Sequence, residues 1–142
     1  MVKALVVRDR YFMKKPCEDA TSDDIALSID LRDTLRIYSK EMCGLSANMI
    51  GYNKRIIAFI DTSSPVPVLR IMYNPVIEKG TGSCISRERC PVRGGRVYRC
   101  ERYKKITVRF LNENLVEQTE SFEGQTACII QHEIDHLCGK AI

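Results

Sequence analysis

The sequence predicts an α+β fold, with antiparallel strands wrapped around a C-terminal helix and another helix near the N-terminus. Three observations carry that expectation: an apolar stripe at helical spacing from Ser22 to Met42, a strand-turn-strand alternation from Lys105 to Phe122, and a second helical stripe close to the C-terminal end. There is no internal repeat, no low-complexity tract, and no helix-strand alternation long enough for a doubly wound sheet. With 142 residues and 44% hydrophobic content, the chain suffices for one core and is expected to form a single domain over 1–142.

In the first helix Ser22 is placed to cap, Asp23 and Asp24 favour the positive end of the dipole, and Leu27, Leu31, Leu35, Tyr38 and Met42 recur every three or four residues. Gly44 is the expected stop. Two β-rich runs follow, Arg55 to Ile60 and Val68 to Tyr73. The segment between them holds Pro65 and Pro67, which fit a loop and not a sheet interior. Ile106, Val108 and Phe110 alternate along Lys105 to Leu111, and Leu115 to Phe122 returns after Asn112-Glu113-Asn114, so a hairpin is expected. The last helix begins near Gly124-Gln125-Thr126, runs through Ala127, Ile130, Ile134 and Leu137, and ends at Gly139.

The net charge of +4 is modest, but nine lysines and arginines between Arg87 and Arg109 meet only Glu88 and Glu101. Such a stretch tolerates polyanions. With little aromatic interleaving to stack bases, a solvated strand and loop face is the expectation, without specific nucleic-acid binding. The seven cysteines are odd in number and follow no secretory leader, which points to reduced thiols in a cytoplasmic protein. No run is apolar enough to cross a membrane as a helix. A monomer is expected.

The only histidines, His132 and His136, lie in His132-Glu133-Ile134-Asp135-His136. Residues i and i+4 share a helix face, so both imidazoles can reach one metal, with Glu133 beside it as a base for water. Leu137 to Ile142 contain neither histidine nor glutamate, so a third protein ligand is expected upstream. Of the thiols, Cys84 has the most suggestive setting, in the small-residue segment Gly82-Ser83-Cys84-Ile85-Ser86.

Three blocks in order, Gly44-Leu45-Ser46-Ala47, Cys84-Ile85-Ser86 and Gln131-His132-Glu133-Ile134-Asp135-His136-Leu137, resemble peptide deformylase. The resemblance implies one divalent metal held by Cys84, His132 and His136, with water in the open fourth position. Iron(II) is implied in cells, with zinc, nickel or cobalt accepted by purified protein. Glu133 would take a proton from the water, which attacks the formyl group of a nascent chain's formylmethionine, and formate would leave. The resemblance also implies that the backbone amide of Ile85 stabilises the oxyanion, that Gly44 and Leu45 meet the peptide, and that Cys128 and Ile129 line the methionine pocket. Work on nascent chains implies proximity to the ribosome.

Departures from the family pattern are equally specific. Met49 stands where the family has a glutamine whose amide steadies the oxyanion, and methionine cannot donate a hydrogen bond. Gly82 and Ser83 stand where glutamate and glycine usually precede the cysteine. The alternative these raise is a deformylase homologue with weak or altered activity that holds peptide N-termini or another acyl-amide substrate. A metal that only staples the fold is disfavoured, because a structural site would supply four ligands and leave Glu133 without a use.

Overall fold

The computed structural model describes residues 1–6 and 10–140. Its elements run α1 (Arg10–Met13), α2 (Ile25–Ile37), β1 (Gly44–Ser46), β2 (Ile56–Asp61), β3 (Val68–Thr81), β4 (Cys84–Arg89), β5 (Val97–Arg102), β6 (Lys105–Leu111), β7 (Glu117–Glu123) and α3 (Gly124–Leu137). Five strands form one antiparallel sheet in the order β1-β2-β3-β6-β7, and β4 and β5 form a separate antiparallel hairpin. The expected α+β fold with a C-terminal helix is the observed one.

β2 shows why the sheet takes a helix on each face. Successive side chains on a strand point to opposite sides, and here both sides are apolar. Ile56 and Ala58 join Leu27, Leu31 and Leu35 of α2 in one core. Ile57 and Phe59 join Ala127, Ile130, Ile134 and Leu137 of α3 in the other. The two helices therefore sandwich the central strands, and α3 is fixed in register against them. Gln131 adds a polar clamp, accepting from the Tyr103 amide at 2.9 Å and donating to the Tyr103 carbonyl at 3.0 Å.

Several boundaries differ from expectation for local reasons. The N-cap near the first long helix is Thr21, not Ser22. Thr21 accepts from the Asp23 amide, and Asp24 accepts from the Thr21 amide, closing a capping box around a short 3-10 turn. α2 then ends at Ile37, and Tyr38 and Met42 continue the apolar spacing through a turn. Gly44 opens β1 instead of stopping the helix. β3 runs on past Tyr73 to Thr81, because register shifts around Asn74 and Pro75 absorb the proline without ending the strand. Asn74 takes φ 52° there, and its side chain closes two hydrogen bonds with the backbone of Ala20.

Candidate active site

Helix α3 places His132 and His136 one turn apart and buries both. Their Nε2 atoms are 3.2 Å apart, and His136 Nε2 is 3.2 Å from Cys90 Sγ. Cys90, His132 and His136 each offer one ligand atom, all within 4.8 Å of one another. Softness and number suit a three-ligand site for a divalent transition metal: one thiolate, two imidazoles, and room for one more donor.

The expected third ligand, Cys84, is not in this cluster. It sits at the start of β4 opposite Arg102, with Sγ 3.6 Å from the Arg102 carbonyl and its thiol against that of Cys128. Six residues further on, where β4 ends, the chain delivers Cys90 to the imidazoles. A sequence signal existed for this. Glu88-Arg89-Cys90 keeps the glutamate two residues before the cysteine, whereas Gly82-Ser83-Cys84 does not. The carboxylate that looked missing is Glu88.

Glu88 explains how His132 is held. Its Oε1 is 2.7 Å from His132 Nδ1, and the Tyr98 hydroxyl is 3.2 Å from the same nitrogen. A carboxylate accepting from Nδ1–H leaves Nε2 free to face a metal. Arg102, buried on β5, donates to both Glu88 oxygens at 2.9 and 2.8 Å and to Asp135 of the histidine motif at 2.5 Å. One guanidinium thus ties the β4–β5 hairpin to α3. Burial works against the Glu88 carboxylate, yet the bonds from Arg102 and His132 hold it well below the usual range. On the other side, Asn48 donates to the His136 carbonyl at 2.9 Å and accepts from Ser46. Asn48 lies in a 3-10 turn, not an extended segment, and its amide is committed to α3.

Without a bound metal, the surroundings push the two imidazoles in opposite directions. Burial disfavours the charged form of each, but Cys90 and Glu88 overcome this at His132 and raise it to about 10. Burial and the neighbouring His132 push His136 down to about 3. Glu133 is buried, and its Oε1 has no hydrogen-bond partner. Burial pushes its carboxyl up to about 7, against the attraction of His132. A buried, orphaned carboxylate oxygen beside three converging ligands fits a site made for a metal ion with a water.

Glu133 carries a pH prediction for the metal-free protein. Its folded pKa is raised from 4.5, so the stability it contributes is intact below pH 4.5 and lost as pH rises through about 7. Glu133→Gln in chelator-treated protein is expected to match wild type near pH 4.5. It should exceed it at pH 8 by about 3 kcal/mol, the order that such a shift implies. Urea melts at the two pH values check this; equal pH dependence in both proteins would refute it.

A cavity of about 240 Å³ opens beside the cluster, lined among others by Gly44, Met49, Ser86, Glu88, Gln125, Cys128, Ile129, His132 and Glu133. Gly44 is needed for its close approach: a Cβ there would stand 2.9 Å from both Glu133 Oε2 and Ile129 Cγ2. Of the residues expected to touch a substrate, Gly44, Cys128 and Ile129 line the cavity, whereas Leu45 is buried in the core under α2. Met49 lines it too, 1% exposed. Ile85 is 64% exposed on the outward side of β4, away from the cluster. The residue after the clustered cysteine is Pro91, which has no N–H to give.

Among the described residues, no helix is long and apolar enough to cross a membrane. A family model described as polypeptide deformylase matches residues 2–142. A peptide deformylase of Clostridium beijerinckii is 40% identical over 134 residues, covering 94% of this chain and 95% of that protein. One from Aquifex aeolicus is 34% identical over 143 residues, covering 98% and 84%. Among solved structures, a probable peptide deformylase from synechococcus phage S-SSM7 matches with a TM-score of 0.84 at 26% identity, covering 99% of this chain and 96% of that one. On the matched length and the shared site, the chain belongs to the polypeptide deformylase family.

Proposed function

We infer that this protein removes the formyl group from the N-terminal formylmethionine of nascent peptides and releases formate. The observation that carries this is the Cys90, His132 and His136 cluster with the unpartnered oxygen of Glu133 beside it, at a cavity large enough for one side chain. Cys90, His132 and His136 would hold the metal. When bound, a divalent ion there supplies Lewis-acid chemistry, polarising the formyl carbonyl and acidifying water. Iron(II) is the proposed ion in cells, and zinc, nickel or cobalt can replace it in purified protein.

Glu133 holds the proton that moves. Its carboxylate accepts a proton from water as the water oxygen adds to the formyl carbon, and returns that proton to the amine nitrogen as the C–N bond breaks. Glu133 is buried beside the cluster with one oxygen unpartnered, so that oxygen is free to take the proton. The cavity lies between two strand edges, β1 and β4, each paired on one side only among the described residues. An extended peptide can add there as a further strand, its first side chain entering the cavity past Gly44, Cys128 and Ile129. Such a protein works as a monomer in the cytoplasm close to the ribosome.

Formate release from formyl-Met-Ala-Ser by iron(II)-, nickel- or cobalt-loaded protein, prepared without oxygen, is the expected result. Silence of all three forms would reject the reading. A second reading has its own support. Met49 stands at the expected glutamine position and Pro91 follows the clustered cysteine, and neither can donate a hydrogen bond. A homologue with slow or altered turnover that chiefly holds peptide N-termini accounts for that pair; turnover at rates usual for such hydrolases would exclude it.

A further inference from the structure

The mouth of the cavity carries charge that the chemistry does not use. Along β4, Cys84, Ser86 and Glu88 turn inward, while Ile85, Arg87 and Arg89 face solvent. Arg87 and Arg89 line the cavity mouth. Arg87 also stands directly opposite Arg99 on β5, and like charges so placed destabilise a hairpin. Among the described residues, none of these three guanidinium groups has an ion pair. The nearby carboxylates are committed elsewhere: Glu88 to Arg102 and His132, Glu101 to the Ser83 hydroxyl. The one exposed acidic group on the facing lip is Glu41.

Strand geometry says which part of a substrate would meet this charge. On the deformylase reading, on which this inference rests, the formyl group lies at Cys90, just past the end of β4. A peptide leaving that point antiparallel to β4 passes Arg89 and then Arg87, one and three residues upstream, at about 3.3 Å per residue. Side chains alternate, so a first side chain that enters the cavity beside Ser86 turns the second to the solvent side of the hairpin. Arg87 and Arg89 stand on that side. We propose that Arg87 and Arg89 make the protein prefer peptides whose second residue is acidic.

The test compares formyl-Met-Asp-Ser with formyl-Met-Lys-Ser on nickel-loaded protein. Binding of the product peptides Met-Asp-Ser and Met-Lys-Ser, followed by calorimetry, runs in parallel. Exposed ion pairs are individually weak, so about a tenfold preference for Asp is expected at low salt in both kcat/KM and affinity, shrinking toward unity at high salt. The charge-reversal variant R87E/R89E should invert the order in both measurements. Formate release with no charge preference, or a preference that the variant retains, overturns the proposal and leaves the deformylase reading intact. Product peptides bound in the expected order without any formate release would uphold the role of the arginines and reject the deformylase reading. Absence of both binding and turnover rejects both.

Discussion

Cys90→Ser is expected to abolish metal retention and formate release, whereas Cys84→Ser leaves both close to wild type. Cys90 is 1% exposed, and its sulfur lies 3.2 Å from His136 Nε2. A serine hydroxyl at that place stays protonated at neutral pH and is a poor ligand for a transition metal, so only two imidazoles remain. Loss of a group that merely orients a ligand typically costs about 10–100-fold in metal affinity or activity; loss of the ligand itself should exceed that. Cys84 makes a weak contact with the Arg102 carbonyl at 3.6 Å and touches the Cys128 thiol. Its replacement by serine falls among substitutions that alter stability by about 1 kcal/mol. Metal content by elemental analysis after dialysis, with formate release on the same samples, separates the two. Retention by Cys90→Ser together with loss by Cys84→Ser would return the ligand role to Cys84.

The distance between those two cysteines also marks the limit of what the sequence makes legible. α2, α3 and the β6–β7 hairpin declare themselves because each buries an apolar face, which leaves a period of three to four or of two in the residue order. The β4–β5 hairpin has no such pattern. Its inner face is Cys84, Ser86, Glu88, Tyr98, Cys100 and Arg102, and it meets α3 through ion pairs and hydrogen bonds instead of apolar packing. Alternation in hydrophobicity cannot reveal a strand whose buried side is charged. The ligand cysteine lies at the end of that strand, so the element and the residue were missed together. The histidine pair and Glu133 were legible because a helix fixes their spacing whatever it packs against.

The polar hairpin has an energetic reason. Arg102 is enclosed between Glu88 and Asp135, and removing one partner from such a buried network costs about 3–5 kcal/mol, because a charge is left without compensation. An apolar interface would pack as well, but it would not fix the direction of the Glu88 carboxylate and hence the His132 ring. Orientation of a ligand is what the charged residues add here. The same strand then turns Arg87 and Arg89 outward, so a single alternation supplies both the support of the metal site and the charge at its mouth.

Met49→Gln is expected to raise kcat by about 10–100-fold with little change in KM. Preorganised donors aimed at a developing oxyanion are each worth roughly 10²–10³ in turnover. In this chain Met49 is a thioether, and Pro91, which follows the clustered cysteine, has no amide hydrogen. Glutamine is close to methionine in length, and Met49 already lines the cavity, so its amide can reach the same space without a change in the backbone. The gain should fall short of a full donor's worth, because the new amide is not held in place before the reaction as a preorganised donor is. Asn48 already spends its own on the His136 carbonyl. There is an opposing cost. Met49 is 1% exposed, and a buried amide without partners in the free protein destabilises it by about 1–3 kcal/mol. Faster chemistry in a less stable protein is therefore the signature, read as kcat and KM on formyl-Met-Ala-Ser beside a thermal melt. A fall in melting temperature with kcat unchanged would mean that the oxyanion lies out of reach of position 49, and that its missing donor must be sought on the Pro91 side of the cavity.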